Sequence, residues 1–292
     1  MRVERFPSNP IVRPDMDARM GDNINGPSLI RVPDWVKNPL GRYYLYFAHH
    51  DGHHIRLAYA DRLEGPWRTH EAGVLSLQQS RFAGHVASPD VHVDHDLRRI
   101  RMYFHGSEVP SGVPGADQYT RLALSSDGLH FEASTERLGR PYFRVFAWGG
   151  YTYALGMPGV FYRSRDGLTA FEQGPTLFAS NMRHTALKLD GSILSVFYTD
   201  VGNDPESILL ATIDLAPDWL QWKESKALTV LQPERDYEGV NAARGPSVRG
   251  LVHGPVCQLR DPAIYREDDH TYLLYSVAGE NGIAIAELKD AA

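Results

Sequence analysis

Short apolar and aromatic runs, separated by polar turns, return about five times along the chain. In its full form the pattern has an apolar strand beginning near a proline, then an aromatic strand, then a third strand ending near Asp-Gly or Gly-Pro-Trp. The first copy takes in residues 26–30, 41–47 and 55–67. Later copies begin near Pro89, Pro141, Thr185 and Pro262. The pattern therefore predicts repeated, similar groups of β-strands.

Repeats of roughly 40 to 50 residues with several strands each are typical of propeller blades, because each small sheet buries its faces against its neighbours. The sequence thus predicts an all-β, five-bladed β-propeller in one domain covering residues 1–292. The alternative is a β-sandwich whose strands resemble one another only because aromatic and β-branched residues favour strands. Residues 3–12 precede the first blade and are expected to add an outer strand to the last one, which removes an exposed sheet edge.

Composition and charge narrow the classes of partner. The net charge of −6, with no cluster of Lys and Arg, disfavours binding to nucleic acid or to an anionic membrane. No apolar stretch approaches the roughly 18 to 20 residues of a membrane span, and no apolar signal core follows the first residues, so we expect a cytoplasmic protein. The one cysteine, Cys257, excludes an internal disulfide and is expected to be a small buried residue.

The repeats resemble the five-bladed propeller glycosidases of family 43, the arabinanase and β-xylosidase group, with family 32 and the anhydrogalactosidases as relatives. Residues 87–92 are similar to that family's second-blade phrase, in which an aspartate, here Asp90, tunes the catalytic acid. Residues 183–187 resemble its fourth-blade phrase, in which a histidine, here His184, lies near the channel. The resemblance implies a glycosidase fold and a sugar as ligand.

Two catalytic positions of that family are not matched. The family has a general base directly before the first-blade proline, where this chain has Gly26, and a general acid two residues before the third-blade proline, where it has Gly139. A shared fold does not establish a shared reaction when site residues differ. The resemblance therefore supports the architecture more strongly than the chemistry.

In a propeller, the loops that lead into the inner strands gather on one face with those joining the second and third strands. We predict that the substrate-binding side chains lie there: Asn25, His50, Asp51, His85, His105, Arg183, Asp200, Arg260 and Glu280. Trp148, in a turn on the other face, is expected to pack. The predicted ligand is a small sugar or oligosaccharide.

Sugar hydrolysis generally needs two carboxyl groups beside the scissile bond, one of them protonated. Asp90 and Asp261 are the leading candidates because both stand at inner-strand positions. Asp261 precedes a proline, so a purely structural turn remains an alternative.

Three further residues are candidates for the missing catalytic roles. His184 is a candidate acid, as the anhydrogalactosidase relatives imply, or alternatively a channel residue that orients a bound water or ion. Glu238, in a long loop of the last blade, is another candidate acid. Asp22 is a candidate replacement for the first-blade base.

The histidine-rich run 49–54 matches no closed zinc pattern, so no metal site is predicted and these side chains are expected to contact sugar or solvent. No cofactor is expected to be required, although related propellers hold calcium in the channel, which leaves a calcium ion or a water there open. The predicted function is hydrolysis of a small carbohydrate. The alternatives are a non-catalytic sugar-binding propeller and a glycoside phosphorylase, whose phosphate would bind Arg183, Arg244 and Arg260.

Overall fold

The protein is a closed ring of five antiparallel sheets. A computed structural model describes residues 1–50, 52–110, 113 and 117–289, and in these residues each sheet has four strands. The prediction of an all-β, five-bladed propeller is confirmed.

The strands follow the repeats of the sequence. Blade one contains β2 (Asn25–Arg31), β3 (Tyr43–Ala48), β4 (His54–Ala60) and β5 (Arg68–Ser76). Blade two contains β6 (Val86–Asp94), β7 (Arg99–Ser107), β8 (Gln118–Ser125) and β9 (Glu132–Ala133). Blade three contains β10 (Arg144–Trp148), β11 (Tyr151–Gly156), β12 (Val160–Ser164) and β13 (Glu172–Thr176). Blade four contains β14 (Met182–Asp190), β15 (Ile193–Asp200), β16 (Ile208–Asp214) and β17 (Leu228–Leu231). Blade five contains β18 (Arg260–Glu267), β19 (His270–Ser276), β20 (Ile283–Lys289) and the N-terminal β1 (Arg2–Arg5).

The N-terminal segment completes blade five, as predicted, although its strand is shorter than expected. β1 pairs antiparallel with β20, with Arg2 opposite Lys289 and Arg5 opposite Ala286. Further along, the backbone N–H of Val12 donates to the carbonyl of Ile283 at 3.2 Å. The outer edge of β20 is therefore covered rather than exposed.

Five apolar clusters hold the blades together, and each lies between two neighbouring blades. Alternate side chains of β3 pack into two different interfaces between blades. Tyr44 and Tyr46 pack toward blade two, whereas Leu45 and Phe47 pack toward blade five. All four are fully buried, and burying such a side chain contributes roughly 1.5 to 3 kcal/mol. The middle strands are therefore apolar on both faces.

Polar contacts repeat between blades as well. The Tyr46 hydroxyl donates to the Gly128 carbonyl at 2.9 Å, and the Tyr103 hydroxyl donates to the Gly167 carbonyl at 2.5 Å. Each acceptor belongs to an Asp-Gly turn of the next blade. Each buried tyrosine hydroxyl therefore has a hydrogen-bond partner between the blades. Trp148 makes a similar contact between blades, because its indole N–H donates to the Leu215 carbonyl at 3.1 Å.

The helical segments in the described residues are three single 3-10 turns, Pro14–Met16, Trp219–Gln221 and Asp236–Glu238. None of them has the length or the apolar character that crossing a bilayer requires.

Candidate functional site

One backbone position recurs around the axis and builds the site. In β2, β6, β14 and β18, two residues of the inner strand stand opposite one residue of the neighbouring strand, which is a β-bulge. A residue with positive φ lies in each bulge, and an equivalent one lies two residues before β10. These residues form what we call the left-handed ring: Gly26 (φ 60°), Ser88 (46°), Tyr142 (66°), His184 (52°) and Asp261 (47°).

Four members of this ring are not glycine, although a left-handed conformation in other residues costs of order 1 to 3 kcal/mol. Such strain is commonest where a side chain must be directed at a ligand. Bulges re-aim side chains in the same way. The ring therefore marks the end of the channel at which function is expected.

A cavity of about 300 Å³ opens over the left-handed ring. Most of its lining residues are of polar type, and they come from all five blades: Asn25, His50, His85, Ala87, Ser88, His105, Gln118, Tyr142, Met157, Arg183, His184, Arg249, Gly250, Asp261 and Glu280. Seven of the predicted substrate-binding and catalytic side chains other than Asp261 lie here, namely Asn25, His50, His85, His105, Arg183, His184 and Glu280. The predicted face is therefore where these side chains converge.

Asp261 lies on the wall of the cavity with one carboxylate oxygen unsatisfied. The Tyr142 hydroxyl donates to its Oδ1 at 2.7 Å, and its buried Oδ2 has no hydrogen-bond partner among the described residues. Burial, and then the charge of Glu280, raise the pKa of Asp261 to about 6, against the opposing effects of the Tyr142 hydrogen bond and of Arg260. Asp261 is therefore a carboxyl group that can carry a proton near neutral pH.

Glu280 behaves in the opposite way. Burial alone would raise the pKa of Glu280, but its contacts with His50, Arg260 and Asn23 outweigh burial and lower the pKa to about 2. Its Oε1 lies 3.4 Å from His50 Nδ1 and 3.0 Å from Arg260 Nη1, and its Oε2 accepts from the Asn23 amide at 2.5 Å. The cavity thus combines one protonatable carboxyl with one that stays ionised.

Histidine and tyrosine rings line the wall beside Asp261. The ring centroids of His85, His105, Tyr142 and His184 follow one another at 5.9, 5.9 and 5.4 Å. Burial lowers the pKa of His105 and of His184 well below the usual value, and nearby positive charge lowers both further. The 3.8 Å contact between His184 Nε2 and Asp261 is therefore not an ion pair at neutral pH.

Behind the cavity wall runs a buried ionic network. Arg183 donates to Glu206 through Nε at 2.8 Å and Nη2 at 2.6 Å, and Arg260 Nε lies 3.2 Å from the same Glu206. Arg260 then pairs with Glu280 at 3.0 Å. Two guanidinium groups and two carboxylates compensate one another, which makes burial of these charges tolerable.

Asp90 does not lie in this cavity. It stands two residues beyond the ring position of its strand, so its structural counterparts are Ser28, Arg144 and Ala263 rather than Asp261. These residues line a separate cavity of about 60 Å³ deeper in the channel. The expectation that Asp90 and Asp261 occupy comparable positions is wrong, because Pro89 precedes Asp90 whereas Pro262 follows Asp261.

Asp90 has a structural environment in that deeper layer. It contacts His92 Nε2 at 2.8 Å and accepts from the Val145 N–H at 2.9 Å. Burial alone would raise the pKa of Asp90, but His92, Arg144 and that N–H outweigh burial and lower it. Arg144 stacks its guanidinium on the Tyr142 ring at 4.2 Å and separates the two layers. The role of Asp90 as a catalytic group in one cavity with Asp261 and His184 therefore finds no geometric support.

The deeper layer also does not fit a calcium ion. Calcium takes six to eight oxygen ligands, whereas the one carboxylate lining this small cavity is already engaged and the Arg144 cation lies beside it. Among the described residues, no group of three or more His, Cys, Asp or Glu side chains is arranged to hold a metal.

Other predicted residues also lie outside the cavity lining. Glu238 is fully buried, accepting from Arg5 Nε at 2.7 Å and from the Tyr275 hydroxyl at 2.8 Å, so it fastens the N-terminal strand to blade five. Asp22 is exposed. Arg260 is fully buried in the ionic network. Asp200, whose pKa burial and Glu206 raise, does not contribute to the lining.

Asp51 lies outside the described residues. Several residues of the site were not predicted, among them Tyr142, Glu206 and Arg249. The sequence pattern places Tyr142 in the first strand of blade three, whereas it lies two residues before β10 and belongs to the ring by its positive φ. Glu206 and Arg249 lie in irregular segments where no periodicity marks them. Cys257 is buried, as expected.

The fold is that of the family-43 glycoside hydrolases and related propellers. A GH43_1 enzyme from Xanthomonas citri, crystallised with xylotriose, matches with a TM-score of 0.62 and 14% identity, covering 93% of this chain and 88% of that one. An α-L-arabinofuranosidase from Lactobacillus brevis matches with a TM-score of 0.62 and 10% identity, covering 97% and 93%. An N-acetylgalactosamine deacetylase from F. plautii, in complex with blood group B trisaccharide, gives 0.63 and 13%, covering 98% and 95%. At identities this low, these structural matches show a common fold alone.

The chain belongs to the same family as the uncharacterized protein R118 of Acanthamoeba polyphaga mimivirus. The two sequences are 37% identical over 98% of this chain and 90% of that protein. No family model matches the sequence.

Proposed function

We propose that this protein is a glycoside hydrolase that cleaves a small carbohydrate or oligosaccharide, with Asp261 as the general acid. The observation that carries the proposal is the buried, unpartnered Oδ2 of Asp261 on the wall of the cavity, on a carboxyl group whose pKa is raised to about 6. Acid catalysis of glycoside cleavage needs a carboxyl of this kind, held protonated by its surroundings.

The second catalytic role falls to His50 and Glu280. Both carboxylate oxygens of Glu280 are engaged, so this residue is better suited to holding His50 than to taking a proton itself. A histidine held by a carboxylate is a common general base, because its partner fixes the ring and stabilises its charged form. We assign His50 as the base that activates water.

The reaction balances with these two groups. The Asp261 proton passes to the glycosidic oxygen, the bond between that oxygen and the anomeric carbon breaks, and the leaving sugar departs as an alcohol. Water adds to the anomeric carbon and gives its proton to His50. Exchange with solvent then returns a proton to Asp261 and removes one from His50.

The size and chemistry of the cavity support a small sugar. Its volume of about 300 Å³ is at the lower end of ligand sites, and imidazole, amide and hydroxyl groups on its wall match sugar hydroxyls. Phosphorolysis has less support. Arg183 and Arg260 are neutralised by Glu206 and Glu280, and Arg244 lies outside the cavity lining, so these residues offer no free cation to a phosphate.

Product release from a panel of aryl glycosides and natural oligosaccharides tests the proposal. The parent is compared with Asp261→Asn and, as a matched control, Asp22→Asn, which makes the same change at an exposed position outside the cavity. We expect Asp261→Asn to lose 10²- to 10⁴-fold in kcat while still binding sugar, the usual range for an acid catalyst, and Asp22→Asn to behave as the parent. We also expect kcat/KM of the parent to fall as the pH rises above about 6, because Asp261 then loses its proton.

A non-catalytic sugar-binding propeller is the second candidate, and Gly26 favours it. A side chain at the ring position of blade one would place its Cβ 2.9 Å from the Ser88 Cα, so this position has no room for a carboxylate base. Sugar binding without turnover on any member of the panel would establish this second function. Turnover retained within threefold by Asp261→Asn would refute Asp261 as the acid.

A further inference from the structure

Arg249 differs from Arg183 and Glu280, two other charged side chains that line the cavity. Its guanidinium Nη2 donates to the carbonyl of Ser180 at 2.7 Å, and no carboxylate of the described residues pairs with it. By contrast, Arg183 is held by Glu206, and Glu280 is held by Arg260. Arg249 therefore brings a positive charge to the cavity that the neighbouring side chains leave uncompensated.

The backbone on both sides of Arg249 is fixed. The carbonyl of Val248 accepts from Arg183 Nη1 at 3.2 Å, and the carbonyl of Gly250 accepts from Arg260 Nη1 at 3.3 Å. Both arginines are buried and are themselves fixed by Glu206. Arg249 thus stands between two anchored carbonyls, in a loop that otherwise has no regular structure.

This arrangement has the character of a recognition element. A planar guanidinium offers paired N–H donors that match a carboxylate or another oxyanion, and a fixed backbone reduces the entropy lost when a ligand binds. The two carboxylates of the buried network, Glu206 and Glu280, are paired with Arg183 and Arg260 and do not pair with Arg249. Arg249 is exposed, so a neutral sugar would leave its charge matched by solvent alone.

We propose that Arg249 selects a sugar carrying an anionic substituent, a carboxylate as in a uronic acid or a sulfate ester. The sugar ring occupies the cavity near Asp261, and its anionic group meets Arg249 at the rim. This proposal rests on the proposed function for the position of the ring, and it concerns binding preference rather than chemistry.

Equilibrium binding of monosaccharides by isothermal titration calorimetry tests it. The anionic probes are glucuronic acid, galacturonic acid, glucose 6-sulfate and galactose 6-sulfate, and the neutral probes are glucose and galactose. Each is titrated into the full chain at about 20 and about 300 mM NaCl, between which screening of charge increases. We expect an anionic probe to bind about tenfold more tightly than its neutral match, the equivalent of one charge-assisted hydrogen bond, and the advantage to shrink in high salt. Which of the two anionic series shows the advantage identifies the substituent.

Two variants locate the preference. Arg249→Gln is expected to reduce the ratio of anionic to neutral affinity to within about twofold, and Arg249→Lys to restore part of it, since lysine keeps the charge but not the paired donors. Arg244→Gln removes the same charge from the same loop at an exposed position outside the cavity lining and is expected to keep the parent ratio. Equal affinity of the parent for charged and neutral sugars, or a preference that survives in Arg249→Gln, overturns the proposal.

The outcomes separate this proposal from the proposed function. Turnover of neutral glycosides with no advantage for charged ones leaves the hydrolase standing and refutes selection by Arg249. Tight, Arg249-dependent binding of anionic sugars without turnover of any glycoside supports selection by Arg249 and refutes the hydrolase. Absence of binding by every probe refutes the selection as well.

Discussion

Asp261→Asn is expected to make the protein more stable at alkaline pH while removing its activity. The pKa of Asp261 is raised from 3.8 to about 6 by burial and by Glu280, so the folded state holds its ionised form less favourably than the unfolded chain does. The penalty is absent well below pH 4, grows between pH 4 and 6, and is complete above pH 6. It amounts to about 3 kcal/mol at pH 8 and about half of that at pH 5. A neutral amide does not incur this penalty.

Urea unfolding of parent and variant at pH 5 and pH 8 measures this difference. The advantage of Asp261→Asn should grow between the two pH values by about 1.5 kcal/mol, whatever else titrates in both proteins. Asp90→Asn is a control of opposite sign. The pKa of Asp90 is lowered by its partners, so its ionised form stabilises the fold above its unfolded pKa and loses that contribution as the pH falls. Asp90→Asn should therefore be less stable than the parent by nearly the same amount at pH 5 and at pH 8, because both values lie above the unfolded pKa of Asp90.

A stability difference for Asp261→Asn that is the same at both pH values would refute the assignment of Asp261 as a carboxyl of raised pKa. A variant less stable than the parent at pH 8 would refute it too, and would indicate that Asp261 has an ionic partner in solution.

Three further changes probe the rest of the site. Tyr142→Phe removes the hydrogen bond that favours the charged form of Asp261, so the alkaline limb of the pH–rate profile should move to higher pH, and an unmoved limb would contradict that contact. Gly26→Asp should gain no activity, and it should lower the stability measured by thermal unfolding by about 2 kcal/mol or more beyond the loss in Gly191→Asp. Both positions have positive φ, but only at Gly26 does a backbone atom lie 2.9 Å from the new Cβ. Equal losses of stability in the two variants would refute the steric argument. Glu206→Gln leaves two buried arginines without their shared carboxylate and should cost about 3 to 5 kcal/mol in denaturant unfolding, whereas a loss under 1 kcal/mol would show that the network relaxes.

The repeat pattern predicted the fold because it is a property of many residues together. The pattern did not align the blades residue by residue, because the prolines that mark each repeat do not occupy equivalent positions. In blades two and five a proline follows the ring position, as in Ser88-Pro89 and Asp261-Pro262, whereas Pro141 precedes Tyr142. A change in the position of the proline relative to the ring residue changes which side chain is expected to reach the axis. Tyr142 was missed for that reason.

Other side chains were misplaced because their partners lie far away in the sequence. Glu238 is buried against Arg5, 233 residues away, which no local pattern around Asp236 and Gly239 reveals. Arg249 lies in a loop whose path depends on carbonyl contacts with Arg183 and Arg260. Its residue type and neighbours are those of an ordinary surface loop, so its position beside the cavity could be found only in three dimensions.

The left-handed ring has a consequence for how such a site can change over evolutionary time. The same backbone position occurs once in each blade, and the four copies that are not glycine direct their side chains toward one cavity. Loss of a functional group from one blade can therefore be made good by a single substitution in another, wherever the neighbouring strand leaves room for it, without any rearrangement of the main chain. Related propellers built on this plan need not keep their reactive groups in corresponding blades, and comparing them blade by blade would then overlook chemistry that has moved around the ring.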